Sequence, residues 1–214
     1  MEIIDGVYSI ESYGFSSNCY IIGKNEIAII DTGASDSHAR LILNTIEKLG
    51  LEKSNINRII ITHHHPDHSG GLRALLKSLV ENDITVCVHE SAVRYYGKIS
   101  NIRIRGLKDG DILTIDGMEF LVIHTPGHTE DGICLYNKKY KILISGDTVF
   151  SYGSIGRADL PGGSMKLLVK SIEKLLKLDV EFLLPGHMDF VMEGNKHIEK
   201  SYRFALSCLN FYGY

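Results

Sequence analysis

The sequence lacks the features that would place it in a membrane or outside the cell. No apolar run approaches the roughly 18 residues that a membrane-spanning helix needs. Residues 1–6 show no charged segment followed by an apolar one, as a signal peptide would. The four cysteines lie far apart and include no Cys-x-x-Cys pair. We therefore expect a cytoplasmic protein with reduced cysteines and no membrane partner.

The sequence also lacks the basic excess of a nucleic-acid-binding protein. Its formal net charge is −3 at neutral pH. Two short basic patches, at residues 103–105 and 138–141, are interpreted as solvated loop charges. Nucleic acid is therefore not an expected partner.

The 214 residues, 44% of them hydrophobic, are enough for one buried core, and we predict a single domain over residues 1–214. Short apolar runs predict strands at 7–10, 19–22, 27–30, 58–62, 84–88, 112–115, 118–124, 133–136, 141–145 and 182–184. Helical spacing of apolar residues predicts helices at 36–49, 71–81, 90–96, 165–178 and 198–212. This order predicts two similar α/β halves with their helices outside.

A histidine-rich segment directly follows the strand at 58–62. His63, His65, Asp67 and His68 fit the pattern His-x-His-x-Asp-His. In an extended segment, side chains two residues apart leave the same face, so His63 and His65 can bind one metal ion. Asp67 and His68 lie beyond the turn at Pro66 and can face a neighbouring ion. Imidazole and carboxylate ligands favour zinc and also suit iron or manganese.

Three later strands end in glycine-containing turns that each offer one further ligand. These ligands are His128 in Pro-Gly-His, Asp147 in Ser-Gly-Asp-Thr and His187 in Pro-Gly-His. Loops at one edge of a sheet are where sites in α/β proteins are usually built.

Taken in this order, the motifs resemble the metallo-β-lactamase superfamily over residues 5–190. The resemblance implies an αββα sandwich of two mixed sheets with helices on the outer faces. It also implies the ligand sets: His63, His65 and His128 for a first metal ion, Asp67, His68 and His187 for a second, and Asp147 between both.

The segments Ser145–Phe150 and Gly156–Gly163 narrow the resemblance to the glyoxalase II-like branch, which includes hydroxyacylglutathione hydrolase. This branch implies a hydrolase of a thioester or ester, with a small-molecule substrate and a hydroxide that bridges two divalent ions, zinc first. Asp67 and Asp147 would orient the hydroxide and offset the metal charge. Glyoxalase II proper carries a C-terminal helical extension that holds much of the glutathione site. Because few residues follow His187, the identity of the thioester stays open.

Other functions remain open on the sequence. Relatives that are persulfide dioxygenases resemble this pattern but hold one iron through the positions of His63, His128 and Asp147. A nuclease or lactonase relative, or a domain that binds metal without catalysis, fits the motifs less well. The closing helix could cover the core of a monomer or form a homodimer surface.

Several residues near the motifs have an ordinary structural interpretation. His38, His64, His89, His124 and His197 are expected to be surface or hydrogen-bonded histidines, and His64 should point away from its two neighbours. Asp31 could support the ligands or be a plain turn residue. Arg157 could contact an anionic substrate or form an ion pair within its loop. Tyr152 is expected to be a packing residue, with lining of the substrate pocket as the alternative.

Overall fold

The protein is described by a computed structural model covering residues 1–11, 13–96 and 102–212. It forms two compact units, the first made of residues 1–107 and 114–118 and the second of residues 108–113 and 119–214. Within the described residues, none of the helices combines the length and apolar character that a bilayer crossing requires.

The first unit is built on a seven-stranded mixed sheet whose strands lie in chain order. Its strands are β1 (Glu2–Ile4), β2 (Val7–Ile10), β3 (Cys19–Ile22), β4 (Ile27–Ile30), β5 (Ile56–Ile60), β6 (Thr85–His89) and β7 (Arg103–Leu107). Neighbours from β1 to β4 are antiparallel, and neighbours from β4 to β7 are parallel. Because β4 and β5 are parallel, the residues that follow them leave the sheet at one edge.

The helices of the first unit are α1 (Asp36–Lys48), α2 (Pro66–Ser69), α3 (Leu72–Ser78) and α4 (Val93–Tyr96). Helix α1 buries Ala39, Ile42, Leu43 and Ile46, which recur at the spacing of one helical face. They join a core with the strand residues and with the buried leucines of α3. This core fixes β4 and β5, the two strands that lead into the candidate site.

The second unit contains a five-stranded sheet in the order β12-β11-β10-β9-β8, apart from residues 114, 115 and 118, which belong to the first unit. Its elements are β8 (Ile112–Ile115), β9 (Met118–His124), β10 (Ile133–Asn137), β11 (Ile142–Gly146), α5 (Met165–Leu175), β12 (Phe182–Pro185) and α6 (Gly194–Tyr212). Strands β9, β10 and β11 are antiparallel neighbours, and β12 adds parallel to β11. The second sheet is therefore also mixed, and its parallel pair again ends at one edge.

Helix α5 begins as the sequence predicts. Ser164 is its N-cap, and its hydroxyl accepts a hydrogen bond from the backbone N–H of Leu167 at 3.3 Å. The buried residues of the helix include Leu168, Ile172 and Leu175 and form a core with residues of β9 to β12 and α6.

The predicted strands and helices are found with shifts of a few residues at their ends, but the interpretation of residues 103–105 as loop charges is wrong. These residues form β7, which pairs with β6 along its whole length. The side chains of Arg103 and Arg105 are exposed and Ile104 is half-buried. The sequence does not predict β7 because two arginines in three residues hide the alternation of an outer strand. Strand β1 and helix α2 were not predicted either.

Candidate metal centre

The histidine-rich segment places its ligands just beyond β5. His63 and His65 face each other, with 3.2 Å between His63 Nε2 and His65 Nδ1. Helix α2 starts at Pro66, so Asp67 and His68 lie in its single turn. The rings of His63 and His68 are 4.0 Å apart, and His68 Nε2 is 3.9 Å from Asp67 Oδ2. The four residues of the motif therefore form one compact cluster in the first unit.

The ring of His64 takes a different direction. It stacks on Tyr95 with 4.7 Å between ring centroids and an interplanar angle of 22°. This agrees with the alternation argument, by which His64 leaves the opposite face from His63 and His65.

Asp31 supports the first cluster from the end of β4. It is 2% exposed, and its Oδ2 lies 2.7 Å from Nδ1 of His68. Its two oxygens also accept hydrogen bonds from the backbone N–H and the hydroxyl of Thr62, at 2.8 and 2.7 Å. A buried carboxylate beside Nδ1 favours the tautomer that carries its proton there, which leaves Nε2 of His68 with a lone pair. Of the two interpretations of Asp31, the structure supports the ligand-supporting one.

The second unit contains its own cluster of predicted ligands. His128 lies in the turn after β9, Asp147 follows β11, and His187 follows β12. The Nε2 atoms of both histidines lie 3.5 Å from Oδ2 of Asp147. His128 and Asp147 are each 7% exposed. Two imidazoles therefore flank one buried carboxylate oxygen.

Backbone and aromatic neighbours fix the two histidines of the second cluster. His128 Nδ1 donates to the carbonyl oxygen of Arg157 at 2.6 Å, which again leaves Nε2 to face the cluster. The ring of Phe150 lies edge-on to His187 with centroids 5.9 Å apart and an interplanar angle of 84°. The structure thus orients His128 by a hydrogen bond and His187 by packing.

Gly156 allows the backbone of its loop to approach the ring of His128 and the carbonyl group of Asp147 closely. A Cβ atom at this position would lie 1.9 Å from the carbonyl oxygen of Asp147 and 3.0 Å from the ring of His128. Only a residue without a side chain fits there. The segment Gly156–Gly163 marks this glycine in the sequence, but the sequence does not show which atoms lie against it.

The remaining candidates have local hydrogen bonds. The guanidinium of Arg157 forms a two-point ion pair with Asp159, with distances of 2.9 and 2.7 Å. Of the two interpretations of Arg157, the structure thus shows the ion pair within its own loop. His124 and His89 contact the Glu130 carbonyl and the Ser91 hydroxyl, as expected for non-ligating histidines.

The expectation that Tyr152 is a packing residue is wrong. Its side chain is 61% exposed, and its backbone lies in the left-handed region at φ 62°. His197 Nδ1 accepts the backbone N–H of Tyr152 at 2.8 Å, and the Tyr152 hydroxyl lies 3.4 Å from Asp189. This conformation is costly for a residue with a side chain and is held here by hydrogen bonds.

Comparisons with known proteins agree on the family. The family model of the metallo-β-lactamase superfamily matches residues 12–187, a range that includes every residue of the two clusters. The hydroxyacylglutathione hydrolase GloC of Haemophilus influenzae is 31% identical over 198 residues, which cover 85% of this chain and 90% of that protein.

Solved structures show the same fold. A metallo-β-lactamase family protein from Thermus thermophilus superposes with a TM-score of 0.80 at 21% identity, covering 98% of this chain and 82% of that chain. The protein TTHA1623, solved in a di-iron-bound form, has a TM-score of 0.70 at 27% identity, covering 88% of this chain and 96% of that chain. With two mixed sheets plus helices and these structural neighbours, the predicted metallo-β-lactamase fold is confirmed. The chain therefore belongs to the metallo-β-lactamase superfamily, and within it to the glyoxalase II-like branch.

Proposed function

We propose that this protein is a metal-dependent hydrolase of thioesters or esters that uses two divalent metal ions. The proposed ligands are His63, His65 and His128 for one ion, Asp67, His68 and His187 for the other, and Asp147 for both. Both units would then serve a single catalytic domain, in agreement with a family model that runs through the two of them.

The orientation of the imidazoles is the observation that carries this proposal. In each unit, a buried histidine has an outward acceptor at Nδ1: Asp31 for His68 and the Arg157 carbonyl for His128. Nε2 therefore faces its cluster as an acceptor atom, which is how metal-binding histidines are usually held. A histidine whose role is only packing or titration does not require a hydrogen-bond acceptor at Nδ1, and here such an acceptor is found in both units.

The set of ligand atoms fits zinc and is also compatible with iron. Five imidazoles and two carboxylates, without a thiolate, suit zinc, iron and manganese. We propose zinc first. The di-iron form of TTHA1623 makes iron the first alternative.

When bound, such ions polarise a carbonyl group and make water acidic enough to supply hydroxide near neutral pH. The residues of the chain would bind the ions and offset their positive charge. Asp67 and Asp147 would contribute negative charge that offsets the charge of the ions and would orient the hydroxide, and Asp147 lies between two imidazoles. The side chains of His68 and Asp147 are themselves buried, which keeps bulk water away from these two residues.

We further propose a small-molecule substrate and a cytoplasmic enzyme that is either a monomer or a homodimer. All four cysteines are free thiols, which suits a reducing compartment.

The test is to measure metal content on protein purified without added metal, followed by a panel of thioesters and esters. About two ions per chain, together with hydrolysis that a chelator abolishes, is the expected result. One iron per chain with oxygen uptake on a persulfide would replace the proposal with the dioxygenase alternative. Metal-loaded protein that hydrolyses no thioester or ester would refute the hydrolase.

A further inference from the structure

A buried chain of polar side chains joins two of the turns that carry proposed ligands in the second unit. His128 lies in the turn after β9 and Asp147 in the turn after β11. These strands are not neighbours, because β10 lies between them. Strand pairing therefore does not join the two turns directly, and a direct link has to come from other contacts.

Thr125 and Thr148 form such a link. Thr148 directly follows Asp147, and Thr125 lies three residues before His128. The Thr148 hydroxyl donates a hydrogen bond to Oγ1 of Thr125 at 2.9 Å, and the two residues are 3% and 1% exposed. Because water does not reach these hydroxyls, removing one of them leaves the other without this partner in a buried place.

Cys134 on β10 connects this hydrogen bond to the strand that precedes Asp147. Its buried thiol lies 3.4 Å from Oγ1 of Thr125 and 3.4 Å from the carbonyl oxygen of Ser145. A hydroxyl or a thiol has one proton to donate. Thr148 can therefore donate to Thr125, Thr125 to Cys134, and Cys134 to Ser145. Burial raises the pKa of Cys134 to about 11, so the thiol keeps the proton that it donates at neutral pH.

Each of the two turns is also closed by its own hydrogen bonds. The backbone N–H of Thr148 donates to the carbonyl oxygen of Ser145 at 3.0 Å, and the Ser145 hydroxyl donates to that of Val149 at 2.7 Å. The backbone N–H of Thr125 donates to the carbonyl oxygen of Gly132 at 2.8 Å. A bond that joins one residue of each closed turn therefore also positions the ligand that the turn carries.

We propose that Thr125 and Thr148 are positioning residues, which hold His128 and Asp147 at the spacing that metal binding requires. This inference rests on the ligands assigned to the proposed hydrolase, and it adds two residues that would not themselves touch an ion. Metal ligands have to be held within about 0.5 Å of their productive positions. Nε2 of His128 and Oδ2 of Asp147 are 3.5 Å apart, and we expect this separation to depend on the bond between the two hydroxyls.

The first test replaces one hydroxyl at a time. Thr148→Val keeps nearly the same shape, and its zinc affinity, measured by competition with a chromophoric chelator, should fall about 10-fold, the lower end of the range for groups that orient metal ligands. Thr148→Ser keeps the hydroxyl and should stay within about twofold of the unaltered protein. Thr129→Val is the matched control and should keep its zinc affinity. Thr129 is buried beside His128, and its hydroxyl has no hydrogen-bond partner among the residues that the structure describes.

A double-mutant cycle tests whether the two threonines act through one bond. Thr125→Val should lower zinc affinity as much as Thr148→Val does, and the double variant should lose only about 10-fold in total, because either single change already breaks the bond. A loss of about 100-fold in the double variant would mean that the two side chains act independently, and it would overturn the inference. If Thr148→Val does not fold, Thr125→Val removes the same bond from its other end.

The absorption spectrum of cobalt-substituted protein distinguishes positioning from stability, because it responds to the arrangement of the ligands around the ion. The spectrum should change in the valine variants and return to that of the unaltered protein in Thr148→Ser. A bond with only a structural role would lower the free energy of unfolding in urea and leave zinc affinity and the cobalt spectrum unchanged. That result would overturn the inference.

The outcomes also separate this inference from the function on which it rests. The expected losses of zinc affinity in a protein that hydrolyses no thioester or ester would support the positioning role and refute the hydrolase. Full zinc affinity in both valine variants of an active hydrolase would overturn the positioning role and leave the hydrolase intact. An unaltered protein that binds no metal ion would refute the proposed metal centre and the inference with it.

Discussion

Replacing Asp31 by asparagine should weaken metal binding, although Asp31 is not itself a proposed ligand. One carboxylate oxygen accepts from the backbone of Thr62, and the other lies against the Thr62 hydroxyl and His68 Nδ1. An asparagine presents an NH₂ group at one of these positions, whichever way it is turned. If the NH₂ group faces Thr62, it meets the backbone N–H of Thr62, another donor. If it faces His68, it drives the proton of His68 toward Nε2. In both orientations His68 loses the negative charge of the carboxylate beside it.

The expected loss of metal affinity is about 10- to 100-fold, the range for the loss of a group that orients a ligand. This corresponds to about 1.4–2.8 kcal/mol. The metal-free variant should also lose about 1–3 kcal/mol of its free energy of unfolding, because one buried donor remains unsatisfied. Asparagine tolerates the left-handed backbone of residue 31, at φ 59°, so the backbone should be preserved.

Zinc affinity is measured by competition with a chromophoric chelator, and stability by urea unfolding of metal-free protein. Asp116→Asn is the matched control, because Asp116 belongs to the same unit, also has positive φ, and accepts its hydrogen bonds from Lys24 and Asn25 rather than from a histidine. The control should keep its zinc affinity. If Asp31→Asn bound zinc within about twofold of the unaltered protein, the argument from the His68 tautomer would be refuted.

Three further predictions concern the ligands and their supports. His65→Ala and Asp147→Ala should each abolish hydrolysis and lower metal content, and a variant that keeps full metal and full activity would remove that residue from the ligand set. Gly156→Ala should cost about 3 kcal/mol of unfolding free energy, the upper end for overpacking, and lower zinc affinity, since its Cβ would lie 1.9 Å from the Asp147 carbonyl oxygen. Gly162→Ala is the comparison for zinc affinity only, because its Cβ would meet no atom within 4 Å but its φ of 86° makes alanine strained there. Equal zinc affinity in the two variants would contradict the steric argument. Burial lowers the pKa of His197 in the folded protein, and its neutral Nδ1 accepts the backbone N–H of Tyr152. The stabilisation from this hydrogen bond is therefore fully present above the pKa of about 6.5 that histidine has in the unfolded chain. It is lost as the pH falls through the lower pKa of His197 in the folded protein. Urea unfolding followed from about pH 7.5 downward should show a larger loss for the unaltered protein than for His197→Asn, and equal losses would disprove the role of His197.

The sequence predicts the seven proposed ligands because each follows an apolar run and stands in a turn of recognisable composition. His63 and His65 show this best: two-residue spacing is a local property, and the structure places their ring nitrogens 3.2 Å apart. The turn between the predicted strands 112–115 and 118–124 is also a local feature: Asp116 and Gly117 both have positive φ, as a tight two-residue hairpin turn requires.

The supporting contacts could not be predicted in this way. Asp31 and His68 are 37 residues apart and meet only because β4 and β5 are parallel neighbours. The partner of His128 is a backbone carbonyl, which every residue possesses and no motif marks. Tyr152 was misjudged for a similar reason: its exposure depends on a backbone conformation that His197 and Asp189 hold from a distance.

Strand β7 has a consequence for the behaviour of the protein in a crowded cell. It occupies the last position in the larger sheet, and such strands can recruit strands from other molecules. Arg103 and Arg105 project from it into solvent, and Arg103 lies 3.3 Å from Asp83. Adding a second molecule would bring like charges together and strip water from them. The arginines that conceal this strand in the sequence thus protect the protein against edge-to-edge aggregation.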